Sequence, residues 1–181
     1  YSLKASLIKE QINMKYFNAD SCIYSNGSQT AMAMALYLQL PSKSHEQKVA
    51  DKLAENVKNN NYFLDFGIHG SRYVLEMLSK YGYAEYAYKM ATKETPPSWG
   101  YWIKKGQTTL AETWTLSPKF RDASLNHPSF GNVAAWMTKD LAGINYDRSS
   151  PGFKHFFIRP SYVKDLEWVE GEYKSIHGVI K

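Results

Sequence analysis

Apolar residues recur along this chain with two rhythms, and the change from one to the other falls near residue 143. Over residues 2–17, Leu3, Leu7, Ile8 and Ile12 share one face of a predicted helix. A turn-rich stretch, Asn18 to Gly27, follows. Ser28 then starts a second helix to about Leu40, where Ala31, Met32, Met34, Ala35, Leu36 and Leu38 are apolar nearly all round, the pattern of a buried helix. Pro41 ends it. Ser44 with Gln47 three residues on is a capping-box signal for a third helix, whose single stripe of Val49, Leu53 and Val57 marks a surface element. A fourth helix is predicted over 70–81, with Val74, Met77, Leu78 and Tyr81 on one face and Gly82 as its stop. A fifth, about 83–94, carries Tyr83, Tyr86, Ala87 and Met90 on one face. Residues from Pro96 to Asn126 are irregular. Pro128 then opens a last helix through Val133, Ala134, Trp136, Met137 and Leu141 to Gly143.

Buried and surface helices thus alternate. With antiparallel neighbours, that alternation predicts a mainly α chain forming part of an α/α barrel, an inner ring of helices covered by an outer one. After Gly143 the period shortens. Phe153 to Arg159 and Leu166 to Ile176, punctuated by Pro151-Gly152 and Pro160, read as β-strands. They are too few for a sheet with both faces covered. The expected division is 1–146 for the barrel segment and 147–181 for the start of a second, β-containing domain. The chain opens at Tyr1 directly in helical pattern, which reads as a segment of a longer polypeptide.

Composition changes this picture little. The 44% hydrophobic and 22% charged residues are those of a globular protein. A net charge of +5 and pI ≈ 9.1 raise the question of nucleic acid, but the basic residues are scattered. Only Lys104 and Lys105 are adjacent, and Arg is confined to positions 72, 121, 148 and 159, so no nucleic-acid partner is expected. The longest apolar run, Ala31 to Leu38, is far short of the ~20 residues of a membrane span, so no membrane partner is expected. Cys22 is alone and forms no internal disulfide, which leaves the compartment open. No metal-ligand spacing, phosphate loop or nucleophile elbow is present, and no metal or cofactor is expected.

The candidate chemistry gathers in SWGYWIKKGQTTLAETW at 98–114 and in Asn126-His127. Glu112 lies among Trp99, Tyr101, Trp102 and Trp114. Aromatic faces stack on the apolar faces of a pyranose, and a carboxylate can take a proton from a hydroxyl or a water. In an α/α barrel the connections 20–27, 61–70 and 96–127 would open on one end. That end would collect Asn26, Asp65, His69, Trp99, Tyr101, Glu112, Trp114 and His127 beside the positive ends of the inner helices. Each residue also has a structural reading. Thr109-Leu110-Ala111-Glu112 is itself a capping box, His127 precedes a helix-opening proline, His69 suits a turn, and Asp65, Tyr24 and Asn26 suit tight turns. The tryptophans are equally candidates for the core.

At these residues the chain resembles the bacterial α-L-rhamnosidases. The matching segments are NGSQTAMAMALYL at 26–38, LDFGIHGSRYVLEMLSKYGYAEYAYKMA at 64–91, PSWGYWIKKGQTTLAETW at 97–114, LNHPSFGNVAAW at 125–136 and PGFKHFFIRP at 151–160. The resemblance implies the C-terminal part of an (α/α)6 barrel, a six-hairpin toroid, followed by the first strands of a C-terminal β-sandwich. It implies an inverting glycoside hydrolase in which Glu112 is the general base and His127 contacts the bound rhamnose. Trp99, Tyr101, Trp114, His69 and Asn26 would complete the sugar site. The implied partners are a rhamnose-containing oligosaccharide or glycoside and an upstream remainder of the same enzyme, which holds the general acid. The 181 residues alone are therefore expected to be inactive and to expose apolar surface. Ala111, where the family often has Trp, and Thr113, where a longer polar residue is common, depart from the pattern and point to a wider pocket wall. Two other readings stay open: an α/α-barrel glycosidase for a different sugar, and a non-catalytic carbohydrate-binding protein.

Overall fold

The apolar helix Gln29–Tyr37 sits at the centre of the packing. The computed structural model describes residues 1–116 and 123–181. In order, α1 is Ser2–Tyr16, β1 Phe17–Asn18, β2 Ile23–Tyr24, α2 Gln29–Tyr37, α3 Glu46–Asn59, α4 Ile68–Lys80, α5 Ala84–Thr92 and α6 Trp99–Lys104. A 3-10 turn at Pro128–Phe130, α7 at Asn132–Trp136 and a π-turn at Met137–Leu141 follow. The chain then forms β3 (Ile144–Tyr146), β4 (Phe156–Ile158), β5 (Tyr173–Ser175) and β6 (Gly178–Ile180).

The inner row is α2, α4 and α7, with α4 packed between the other two. Helix α3 covers α2, and α5 covers α4. Val49, Leu53 and Val57 of α3 are buried, as its single stripe predicts. Ser28 caps α2, its hydroxyl oxygen accepting from the Ala31 N–H at 3.3 Å. The approach of α2 to α4 depends on Gly70. A Cβ there would stand 2.3 Å from Cβ of Phe66 and 2.5 Å from Oγ1 of Thr30. Only glycine lets these helices meet so closely.

Several expectations require correction. The third helix begins at Glu46 with His45 at its N-cap, and no capping box forms. Ser44 instead meets Ser42, and the Gln47 amide donates to Asp51, because Ser42–His45 closes a turn of its own first. The stretch 18–27 holds a short antiparallel pair, Phe17 opposite Tyr24, stacked ring on ring. The irregular segment contains α6, capped by Ser98. The final helix is broken rather than continuous. Its first turn, Pro128–Phe130, is 3-10, closed by the Gly131 N–H donating to the Pro128 carbonyl at 2.9 Å. The Ala142 N–H then reaches back five residues to the Met137 carbonyl to close the π-turn.

Helix α1 buries none of its residues. Leu3 is 76% exposed, with Leu7 and Ile8 at least half exposed, and only Ile12 packs on the core. Polar contacts tether the helix: the Asn13 amide donates to the Leu40 carbonyl at 2.8 Å, and the Tyr24 hydroxyl donates to Oδ1 of Asn13 at 2.7 Å. Burial pushes that phenol up to about 12. Apolar surface is also open at the other end of the chain, at Trp168 and Ile176. No helix among the described residues is long and apolar enough to cross a membrane.

The strands form separate antiparallel pairs, β3 with β4 and β5 with β6. Strand β3 lies before the expected division at 146, yet it pairs with β4 beyond it. The turn into β3 is made by Gly143, whose φ of +77° is costly for other residues; a Cβ there would also stand 2.2 Å from the Arg159 backbone.

Asp140 lies in the last part of the π-turn at this junction. Its backbone carbonyl accepts from the Ser161 N–H at 2.8 Å, while Oδ2 is buried and has no partner among the described residues. Burial, and then the charge of Glu76, raise its pKa to about 7 against the opposing pull of Lys139. The folded value lies above the unfolded one of about 3.9. The associated stability is thus fully present below about pH 4 and is lost as pH rises through about 7. Asp140→Asn should flatten the fall in urea midpoint between pH 4 and pH 8. Parallel pH profiles for parent and variant would contradict the assignment.

Candidate functional site

The irregular segment after α5 is folded around its tryptophans. Trp99 and Trp102 lie on α6 and are buried, and Trp114 is half-buried. The Trp114 ring centroid is 4.0 Å from Phe130, 4.8 Å from Trp102 and 5.0 Å from Trp99, with Phe66 at 6.1 Å. Each indole N–H finds a backbone carbonyl: Trp99 on Phe130 at 3.1 Å, Trp102 on Trp114 at 3.2 Å, and Trp114 on Phe66 at 2.6 Å. Rings packed this way are core, with their polar edges used to hold loop backbone.

Against this cluster, residues 110–112 run antiparallel to 124–127. The Glu112 N–H donates to the Ser124 carbonyl, and the His127 N–H donates to the Leu110 carbonyl, both at 2.8 Å. The Thr109 hydroxyl donates to the Leu125 carbonyl. The half-buried Glu112 carboxylate accepts the Ser124 N–H on Oε2 at 2.9 Å, and Oε1 has no partner among the described residues. Thr109 and Glu112 therefore do not form a capping box, since no helix starts between them. His127 is the N-cap of the 3-10 turn, its Nδ1 accepting from the Ser129 N–H at 3.1 Å with the Ser129 hydroxyl also in contact. Accepting at Nδ1 places the neutral imidazole proton on Nε2.

The connections do open on one end. The Gln29 amide reaches from the start of α2 to Phe63 and Asp65. Trp114 reaches Phe66, and the Ser71 hydroxyl of α4 contacts the Ser129 carbonyl at 3.2 Å. The start of α4 carries no acidic residue, and among the described residues no side chain caps its first N–H groups, which face this end.

Residues 1–141 match the family model of the bacterial alpha-L-rhamnosidase 6 hairpin glycosidase domain, and residues 143–181 match that of the bacterial alpha-L-rhamnosidase C-terminal domain. This chain belongs to the bacterial α-L-rhamnosidase family. Its helices are part of a six-hairpin barrel followed by the C-terminal domain. A curated α-L-rhamnosidase of Streptomyces avermitilis is 28% identical over 179 residues, which is 96% of this chain and 17% of that protein. One from Alteromonas sp. is 28% identical over 187 residues, 99% of this chain and 20% of that protein. The solved Dictyoglumus thermophilum α-L-rhamnosidase superposes with TM-score 0.89 at 35% identity, covering 99% of this chain and 20% of that one. The Streptomyces avermitilis enzyme, solved with L-rhamnose, superposes with TM-score 0.82 at 27% identity, covering 95% and 17%. The chain thus spans about a fifth of these relatives' length.

Within the rhamnosidase barrel segment the expected site residues separate into groups. Glu112 and His127 are joined by the 110–127 ladder. Trp99, only 5% exposed, lies in the aromatic core, and the half-buried Trp114 packs against it. Tyr101 is half-buried on α6. His69 is exposed on the first turn of α4, and Asn26 is exposed at the approach to α2, where its Oδ1 accepts from the Ser28 N–H at 3.2 Å. Asp65 points to solvent. Ala111 is buried, so its small side chain faces the core and does not widen an open wall. Among the described residues no His, Cys, Asp and Glu cluster could hold a metal ion.

Two contributors escape a reading of the sequence. Ser124 sits beside a stretch with no periodicity, and nothing marks it. Gln29 does carry a signal, being the one long polar side chain in the otherwise apolar run after Ser28. The cap at His127 yields a direct test. His127→Ala should cost about 1 kcal/mol of stability by urea unfolding, and His127→Asn, which keeps a capping acceptor, much less. Equal losses in both variants would show that the cap is not what His127 supplies.

Proposed function

We propose that this chain supplies the water-activating half of an inverting α-L-rhamnosidase, with Glu112 as the general base. The observation that supports this best is the Glu112 carboxylate itself: half-buried, tethered through Oε2 to the Ser124 N–H, with no partner for Oε1 among the described residues. A carboxylate held by one oxygen keeps a fixed bearing while the other oxygen takes the proton.

In inverting hydrolysis a carboxylic acid protonates the glycosidic oxygen while a carboxylate deprotonates water on the opposite face of the sugar. The pair stands roughly 6.5–9.5 Å apart to admit that water. The acid belongs to a part of the enzyme outside these residues, in keeping with the chain's share of its relatives. His127 would donate from Nε2 to a rhamnose hydroxyl, its other nitrogen being engaged by Ser129. Tyr101, His69 and Asn26 would contribute polar contacts at the same end. Trp99 and Trp114 would act by holding the loop, and the chemistry needs no cofactor. The substrate is a terminal α-L-rhamnoside of an oligosaccharide or glycoside. The β-hairpins from Gly143 onward would begin a β-sandwich.

Glu112→Gln in the complete enzyme should lower turnover of an aryl α-L-rhamnoside by ~10²–10⁴-fold, with little change in rhamnose binding by calorimetry. Turnover near that of the parent would remove Glu112 from the role. A panel of aryl glycosides separates this reading from an α/α-barrel enzyme for another sugar.

A further inference from the structure

Gln29 is 0% exposed, a complete burial unusual for so long a polar side chain. Its amide is used at both ends: Nε2 donates to the Phe63 carbonyl at 3.0 Å, and Oε1 accepts from the Asp65 N–H at 3.0 Å. An amide buried without partners costs kilocalories, so these bonds lock loop 63–65 to the start of α2. The next residue, Phe66, is buried and presents its carbonyl to the Trp114 indole N–H at 2.6 Å. Trp114 lies two positions after Glu112, and its own carbonyl is held by the Trp102 indole. A continuous set of bonds therefore runs from a rigid inner helix, through one irregular loop, to the loop that carries the carboxylate.

We propose that Gln29 and Trp114 are positioning residues for the Glu112 carboxylate: the Gln29 amide fixes loop 63–66, and the Trp114 N–H fixes the 110–116 segment against it. The proposal rests on the reading of Glu112 as base. Neither side chain reaches Glu112 in this arrangement. Their effect is to set where the carboxylate stands relative to its water, and a displacement of about 1 Å in such a group can cost ~10²-fold in rate. The arrangement also explains how an irregular segment can carry a catalytic group: its Trp114 carbonyl is held by the Trp102 indole, and the neighbouring loop it leans on is pinned at the carbonyls of Phe63 and Phe66 and at the N–H of Asp65.

The test uses the complete enzyme, with kcat and KM for an aryl α-L-rhamnoside and thermal melting read on the same samples. Trp114→Phe keeps an aromatic ring in the cluster and removes the N–H donor to Phe66 together with the five-membered ring, and the melting temperature reads that packing loss separately. Gln29→Met keeps the volume and removes both amide bonds. Trp114→Phe should lower kcat by about 10–100-fold, with KM within about threefold and Tm within a few degrees of the parent. In a Glu112→Gln background the same substitution should add little further loss, because a positioning residue acts only through the group it positions. Gln29→Met should show the same kcat pattern, and where it unfolds the enzyme, Trp114→Phe alone decides. A kcat within twofold of the parent for Trp114→Phe, while Glu112→Gln is strongly impaired, overturns the positioning role and leaves the base assignment standing. Losses that multiply in full in the double variant also overturn it. Parent-like turnover in Glu112→Gln overturns the base assignment and this inference together.

Discussion

Irregular backbone can be buried only if its N–H and C=O groups find partners, and the site-bearing end of this barrel segment is built on that constraint. Segments 61–67, 97–116 and 124–130 lack long helices or strands to satisfy them. Their carbonyls are met by the indole N–H groups of Trp99, Trp102 and Trp114, and by the buried amide of Gln29. Aromatic side chains suit this work because one group supplies both apolar bulk for the core and a directed donor for the loop. Replacing such a ring with an aliphatic side chain of similar size would keep much of the buried area and lose the loop's shape. Glu112 inherits its position from this arrangement, with the Ser124 N–H as the final tether.

Much of the helical frame was legible in periodicity. The single stripe at Val49, Leu53 and Val57 and the repeat through Val74, Met77 and Leu78 became the buried faces they predicted, and in the run after Ser28 Met32, Ala35 and Leu36 are buried while Leu38, beyond the end of α2, is exposed. Boundaries failed where side chains made local bonds of their own, as at Ser42–His45, which delayed the third helix. The Leu3, Leu7 and Ile8 face of α1 was also correctly read as apolar, but it stays open because nothing among the described residues covers it. Local pattern tells which face is apolar; it does not tell what arrives to bury it.

The candidate site was legible in a different way. Glu112 and His127 stand out by residue type in a segment without periodicity, and backbone bonds between 110–112 and 124–127 bring the two segments that carry them side by side. The tryptophans were harder, because the same residue serves as a sugar platform or as core, and only packing decides. Ala111 shows the same limit: its size is written in the sequence, but its direction, into the core, is not. The change of period at residue 143 falls where the helices give way to short strand pairs, between the two matched family segments. The partner of β3 could not be read from so short a strand, although Gly143 signals the turn that delivers it.

The central claim is that Glu112 activates the attacking water, and chemical rescue tests it most directly. With Glu112→Ala in the complete enzyme, an activated aryl α-L-rhamnoside should be hydrolysed very slowly. Azide, a nucleophile that needs no base, should restore aryl release and yield the β-L-rhamnosyl azide, visible by NMR. Undiminished hydrolysis without azide, or a rhamnosyl azide of retained configuration, would contradict the account.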